Sequence, residues 1–175
     1  MTTKHNQSEL TLGFMMGTTY RKLSALFQNG LKEYDITPEQ WSVLFQVDRT
    51  EGLIQKDIAK RSGKDKPTTT RILDHLEGKG LVYKRTGEND RRSFKVYITE
   101  KGRALIKETF PIEDQVTDEI MNCISSDEYE LLMGLLLRIN NHIDQINDES
   151  RNISYARTTR TTYETMDQVF YCFNV

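Results

Sequence analysis

Cysteine is almost absent from this chain: Cys123 and Cys172 are the two in 175 residues. Two isolated thiols exclude a disulfide framework and a thiolate zinc site, and they suit a reducing cytoplasm. His5, His75 and His142 are scattered, with no cysteine or carboxylate at ligand spacing, so neither a metal site nor metal sensing is expected. No apolar run is long enough to span a bilayer. The polar start, Met1 to Glu9, lacks the apolar stretch of a secretion signal, and a cytoplasmic location is expected. The chain has no glycine-rich phosphate loop, no nucleophile elbow and no acid–base pair. No cofactor is called for, and nothing argues for an enzyme.

Net charge is only −2, yet its distribution is uneven. Residues 55–95 hold 12 Lys and Arg against 6 Asp and Glu, a balance of +6. The totals of 24 and 26 then leave 12 and 20 elsewhere, a balance of −8. A basic patch on an acidic body can hold DNA at one face while the rest keeps the molecule soluble. Charge runs are also ordinary solvated faces, so the local pattern has to decide.

That pattern reads helix, tight turn, helix and two-stranded hairpin from Gln55 to Thr99, with Arg91 and Arg92 at the hairpin tip. Ile54 to Arg61 forms the first helix and buries Ile58 and Ala59. Ser62-Gly63 turns, Asp65 caps, and the second helix runs to about Gly78 with Ile72, Leu73 and Leu76 inward. Leu81 to Arg85 and Phe94 to Ile98 alternate like half-buried strands around the turn-rich Gly87-Glu88-Asn89-Asp90. The commonest structure that braces a short basic helix beside a basic hairpin is a winged helix-turn-helix.

Helices are expected on both sides. Leu10 to Tyr34 carries apolar residues at helical spacing, and Thr37-Pro38-Glu39-Gln40 opens another helix with a capping box. Trp41, Leu44, Phe45 and Val47 supply its buried stripe. Thr99 caps a long helix to about Ile124, bent or broken by Pro111. Ser125 and Glu128 cap the last clear helix. Cys123 is expected as a buried apolar filler. After Glu149 neither a helical stripe nor a strand boundary is legible. The β-prone cluster Val169-Phe170-Tyr171-Cys172-Phe173 either docks on the body or a partner chain, stays disordered, or is an appended stretch.

The run Gln55-Lys56-Asp57-Ile58-Ala59-Lys60-Arg61, then Asp65 to Glu77, Lys79-Gly80-Leu81-Val82, the wing Asn89-Asp90-Arg91-Arg92-Ser93, and Ile98-Thr99-Glu100-Lys101-Gly102-Arg103 together resemble the multiple-antibiotic-resistance-regulator (MarR) family. The resemblance spans roughly residues 10–147, with its specific part at 53–103. It departs at Pro67, where many relatives have Ser, at Thr69, a usual Val, and at Ile54, where a Thr often caps. It implies a mainly α fold with a small β hairpin. An N-terminal dimerisation helix (1–36), a winged helix-turn-helix (37–99), C-terminal dimerisation helices (100–148) and a tail of uncertain structure (149–175) would follow in order. The implied function is an obligate homodimer on a pseudo-palindromic double-stranded operator, a repressor released by a small aromatic or anionic effector. The alternative is a winged-helix protein-interaction module without specific DNA binding.

The candidate DNA contacts are Lys64, Lys66, Pro67, Thr68, Thr70, Arg71, Arg91 and Arg92. Arg71 can pair bidentately with guanine; Thr68 and Thr70 can meet a thymine methyl or phosphate, or can serve helix-start chemistry alone. Pro67 offers apolar contact. By the resemblance, Arg92 is the arginine that enters the minor groove. Lys64, Lys84, Arg85 and Lys95 are assigned to phosphate or solvent. Tyr20, Arg21, Phe27, Trp41 and Phe45 can line an effector cavity or be plain core. A peroxide-sensing cysteine near the start of the chain is excluded, because residues 1–119 contain none.

Overall fold

A computed structural model describes the backbone of residues 11–86 and 94–171, with side chains up to residue 149. The chain divides into two units, Met1–Ile120 and Met121–Val175. In the first, α1 is Leu12–Gly30, α2 Pro38–Arg49, β1 Leu53–Ile54, α3 Gln55–Arg61 and α4 Lys66–Gly78. β2 is Val82–Thr86, β3 Phe94–Ile98, and α5 spans Glu100–Met121. The second unit holds α6, Ser126–Tyr171. No helix among the described residues is long and apolar enough to cross a membrane.

Local chemistry sets these bounds. Thr37 Oγ1 accepts from Gln40 N at 3.2 Å while Gln40 Oε1 accepts from Thr37 N at 3.4 Å, closing the box that opens α2. Ser125 and Glu128 do the same before α6. Thr99 Oγ1 accepts from Gly102 N at 3.0 Å and donates to Gly80 O at 2.8 Å, which ties the start of α5 to the end of α4. There Gly102 is required: a Cβ would strike Leu81 O.

The wing is larger than a hairpin. Leu53 and Ile54 pair antiparallel with Val96 and Lys95, giving the sheet order β1-β3-β2. Two residues are too few for a period-2 pattern, so β1 is invisible until its partner strand is known. Leu31, Val43, Leu44, Val47, Ile58, Leu73, Leu76 and Val96 form a core between α2, α3, α4 and the sheet. Trp41 carries its indole into this core, and its N–H donates to Thr109 Oγ1 at 2.8 Å. Thr109 is fully buried and donates in turn to Leu105 O at 2.6 Å, so α5 is pinned to α2 with every polar atom paired.

Two expectations are corrected, at α6 and at Cys123, and two others are sharpened, at Pro111 and along α1. Of the two outcomes expected at Pro111, the break is absent: α5 runs through it as one helix; a proline forfeits one backbone bond, and the neighbouring turns hold the helix. α6 continues through the stretch whose sequence shows no stripe, and the β-prone cluster forms no strand up to Tyr171. Cys123 is exposed rather than buried as a filler. Along the α1 stripe, Phe14 and Tyr20 are each 54% exposed, Phe27 packs against the core, and Leu31 at the C-cap is fully buried.

Candidate nucleic-acid interface

The motif begins with burial. Ile58 and Ala59 of α3 and Thr69, Ile72, Leu73 and Leu76 of α4 all face inward. Gly63 turns between the helices at φ +63°, a conformation that a Cβ disfavours. Thr69, at a position often occupied by valine, keeps its hydroxyl satisfied by donating to Asp65 O at 2.8 Å. With that face claimed, Lys66, Pro67, Arg71 and Asp74 are left exposed, and Thr68 and Thr70 half-buried.

The first turn of α4 is heavily braced. Asp65 Oδ1 accepts from Thr68 N at 2.7 Å and Oδ2 from Thr68 Oγ1 at 3.0 Å. The Thr68 backbone N–H, and then its hydroxyl, hold the Asp65 carboxyl below the usual carboxylate range. Thr70 Oγ1 donates to Lys66 O at 2.9 Å. The Gln55 amide, on α3, donates to Thr70 Oγ1 and to Lys66 O. The hydroxyls of Thr68 and Thr70 are thus already engaged in building the helix start. Gln55 is a bracing residue that the sequence pattern alone did not expose.

Several cations read as DNA or solvent residues are committed elsewhere. Lys64 forms an ion pair with Glu39 and its side chain is only 12% exposed. Lys84 bridges Asp74 at 2.5 Å and Glu77 at 2.8 Å, so it struts β2 against α4. Burial would lower its pKa, but the two carboxylates outweigh that and raise it. Arg85 lies over the rings of Tyr83 and Tyr97. Arg103, another residue the sequence left unassigned, ties Asp48 and Glu51 to α5. Lys66 and Arg71, by contrast, make no ion pair with any described residue. Arg91 and Arg92 lie outside the described residues.

Behind this face, within the same unit, sits a cavity of about 290 Å³. Tyr20, Phe27 and Trp41 line it as expected, together with Leu23, Glu113 and Val116. Phe27 meets Trp41 edge-on with ring centroids 5.0 Å apart. Phe45 is not on the lining: it stacks between Trp41 and Phe110 and acts as core. Arg21 is also absent from the lining, because its guanidinium turns along α1 and donates to Thr18 Oγ1 at 3.0 Å. The Tyr20 hydroxyl donates to Glu39, the same carboxylate that holds Lys64. That bond to Glu39 pushes the Tyr20 pKa up to about 12, with burial adding to it. Burial pushes Glu39 upward, but the bonds from Lys64 and Tyr20 outweigh it and hold its pKa low.

Residues 36–94 match the model of the MarR family. Among solved structures, the chain is similar to the transcriptional repressor CouR bound to a 23-mer DNA duplex. That match has 28% identity and a TM-score of 0.69, over 79% of this chain and 98% of the other. It is similar to MepR of S. aureus in a DNA complex at 26% identity and TM-score 0.68, over 74% and 96% of the two chains. A MarR transcriptional regulator from Methanosarcina mazei Go1 matches at 25% identity and TM-score 0.67, over 76% and 96%.

Proposed function

We propose that this chain, which belongs to the MarR family of transcription regulators rather than to any class of enzyme, is a homodimeric repressor that a small ligand releases from its operator. The observation that carries the reading is the outward face of α4. Its first turn is locked from three sides, and Lys66 and Arg71 are the side chains left over to meet a duplex. A rigid helix start presented to the major groove reads base edges with little ordering cost. Two relatives of this fold, CouR and MepR, are solved with DNA. Arg71 takes a base edge, Lys66 a phosphate, and Pro67 an apolar contact. Thr68 and Thr70 hold the helix start and touch DNA through their methyl groups. Arg91 and Arg92 act from the wing. Lys64 acts from behind, by fixing the turn before Asp65.

Dimerisation rests on the apolar surface. Among the described residues, every exposed large hydrophobic side chain other than Phe110 lies on α1 or α6. Soluble monomers rarely expose such contiguous stripes, and a second copy of the chain is the occupant that would also give the operator its two-fold symmetry. Release follows from a short path. Tyr20 lines the cavity, bonds Glu39, and through it holds Lys64 one residue before the cap of α4. A ligand that favours a different arrangement of Tyr20 shifts the population away from the DNA-bound geometry.

The test is operator selection with the purified full chain, followed by fluorescence anisotropy across a salt series. Log affinity should fall linearly with log salt. Arg71→Ala should cost about 1–3 kcal/mol and relax one position in each half-site. Unchanged affinity for both Arg71→Ala and Arg92→Ala would refute the assignment of reading residues.

A further inference from the structure

The cavity beside Trp41 has the wrong sign for an anionic effector. Among its described lining residues the one charged side chain is the carboxylate of Glu113. Asp114 follows it on α5, and no lysine, arginine or histidine lies on the wall. Arg21, the group that would have received an anion, is turned away along α1. Lys64, the nearest committed cation in the relay, is neutralised by Glu39. The rest of the wall is aromatic and aliphatic: Phe27 and Trp41 meet edge to face, with Leu23 and Val116 beside them.

We propose that this cavity binds an amphipathic organic cation, a ring-bearing amine or quaternary ammonium, with its charge against Glu113 and its apolar body on Trp41 and Phe27. The inference rests on the ligand-released reading above and names the chemistry of that ligand. A half-buried carboxylate makes no ion pair with any described residue there, and its one described hydrogen bond comes from Thr117 at 3.4 Å. Burial, and then the neighbouring Asp114, push its pKa up, so the site gains when a cation arrives. The faces of Trp41 and Phe27 attract the same charge through their ring quadrupoles. An anion would instead meet the Glu113 carboxylate on the wall, with Asp114 next to it on the exposed side of α5. The volume of about 290 Å³ suits a compact one- or two-ring body.

Trp41 is the single tryptophan of the chain, so its fluorescence reports on this wall directly. The full-length protein is titrated near neutral pH with benzyltrimethylammonium, benzyl alcohol and benzoate, which share one ring and differ in charge. The cation should bind about tenfold or more tighter than the alcohol, and benzoate weakest. Glu113→Gln should abolish that preference while leaving benzyl alcohol unchanged. Raising the ionic strength of the unmutated protein should weaken the cation alone, which supplies the test if Glu113→Gln folds poorly. Benzoate or the alcohol binding as well as the cation, no response to any of the three, or a cation preference that survives Glu113→Gln would overturn the proposal. Operator anisotropy in the same samples separates the two claims. A cation that binds without releasing DNA leaves the site standing and refutes the ligand-released reading. Benzoate that binds best and releases DNA does the reverse.

Discussion

The winged core and the flanking helices spend their hydrophobic residues in opposite ways. In the core, Val43, Leu44, Val47, Ile58, Leu73, Leu76 and Val96 are essentially inaccessible within one chain. On α6, Leu131, Leu132, Met133, Leu135 and Leu137 are all exposed, as are Leu12, Phe14 and Met15 on α1. The core therefore closes on itself, while α1 and α6 carry surface that only a second surface can remove from water. Each fully buried side chain of this size contributes about 1.5–3 kcal/mol, which the core already has and the two helices would gain on the proposed association. On the proposed function, the face that meets DNA is built by folding, and its pairing into a two-fold reader would be built by assembly.

The largest expected effect breaks the assembly half of that contrast. Leu132→Glu with Leu135→Glu should convert dimers to monomers in sedimentation velocity and abolish specific operator binding, with the far-ultraviolet spectrum of the core retained. Leu73→Ala strikes the other half. It should cost about 2–5 kcal/mol of unfolding free energy by urea titration, because it opens a cavity among buried neighbours. Thr109→Val removes the acceptor of the Trp41 indole N–H. Leaving that donor unpaired should cost about 1–3 kcal/mol, and Trp41 emission should shift.

Alkaline titration separates a surface phenol from the relay. Tyr20 has its folded pKa raised to about 12 from an ordinary value of 10.0. The Tyr20–Glu39 bond therefore stabilises fully below 10.0 and is lost as pH climbs through about 12. Tyr20→Phe should remove one late-ionising phenol from the absorbance titration. It should also blunt release of the operator by a bound effector while leaving basal DNA affinity near that of the unmutated chain. Glu39 has the opposite sign. Its carboxyl is held low, so its contribution is present above the ordinary carboxylate range and fades as pH falls through it.

Much of this contrast is written in the sequence, and the parts that are not share a cause. The capping box at Thr37 and Gln40, the caps at Asp65 and Thr99, the turn at Gly63 and the inward face of α4 depend on residues three or four apart, and each is where its local chemistry puts it. What stayed hidden depends on distant partners. Strand β1 is two residues and exists because β3 lies beside it. Lys64 reads as a phosphate or solvent residue, and its ion pair with Glu39, on α2, is not visible in the sequence. Lys84 reads as a phosphate or solvent residue until Asp74 and Glu77, on α4, are found to hold it. Arg21 and Phe45 carry plausible effector chemistry, yet rotation about α1 and stacking against Phe110 take them off the cavity wall. Glu113 lies on a helix with no motif to mark it, and only the closure of α1, α2 and α5 around one space shows its position.

The central claim is that two copies of one chain present Arg71 to the two halves of a single duplex. Sedimentation equilibrium of the purified protein with a selected operator duplex, across a range of salt concentrations, measures this directly. The account predicts two chains per duplex, with an affinity that falls steeply and linearly in log salt. One chain per duplex, or binding indifferent to salt and to sequence, would contradict it.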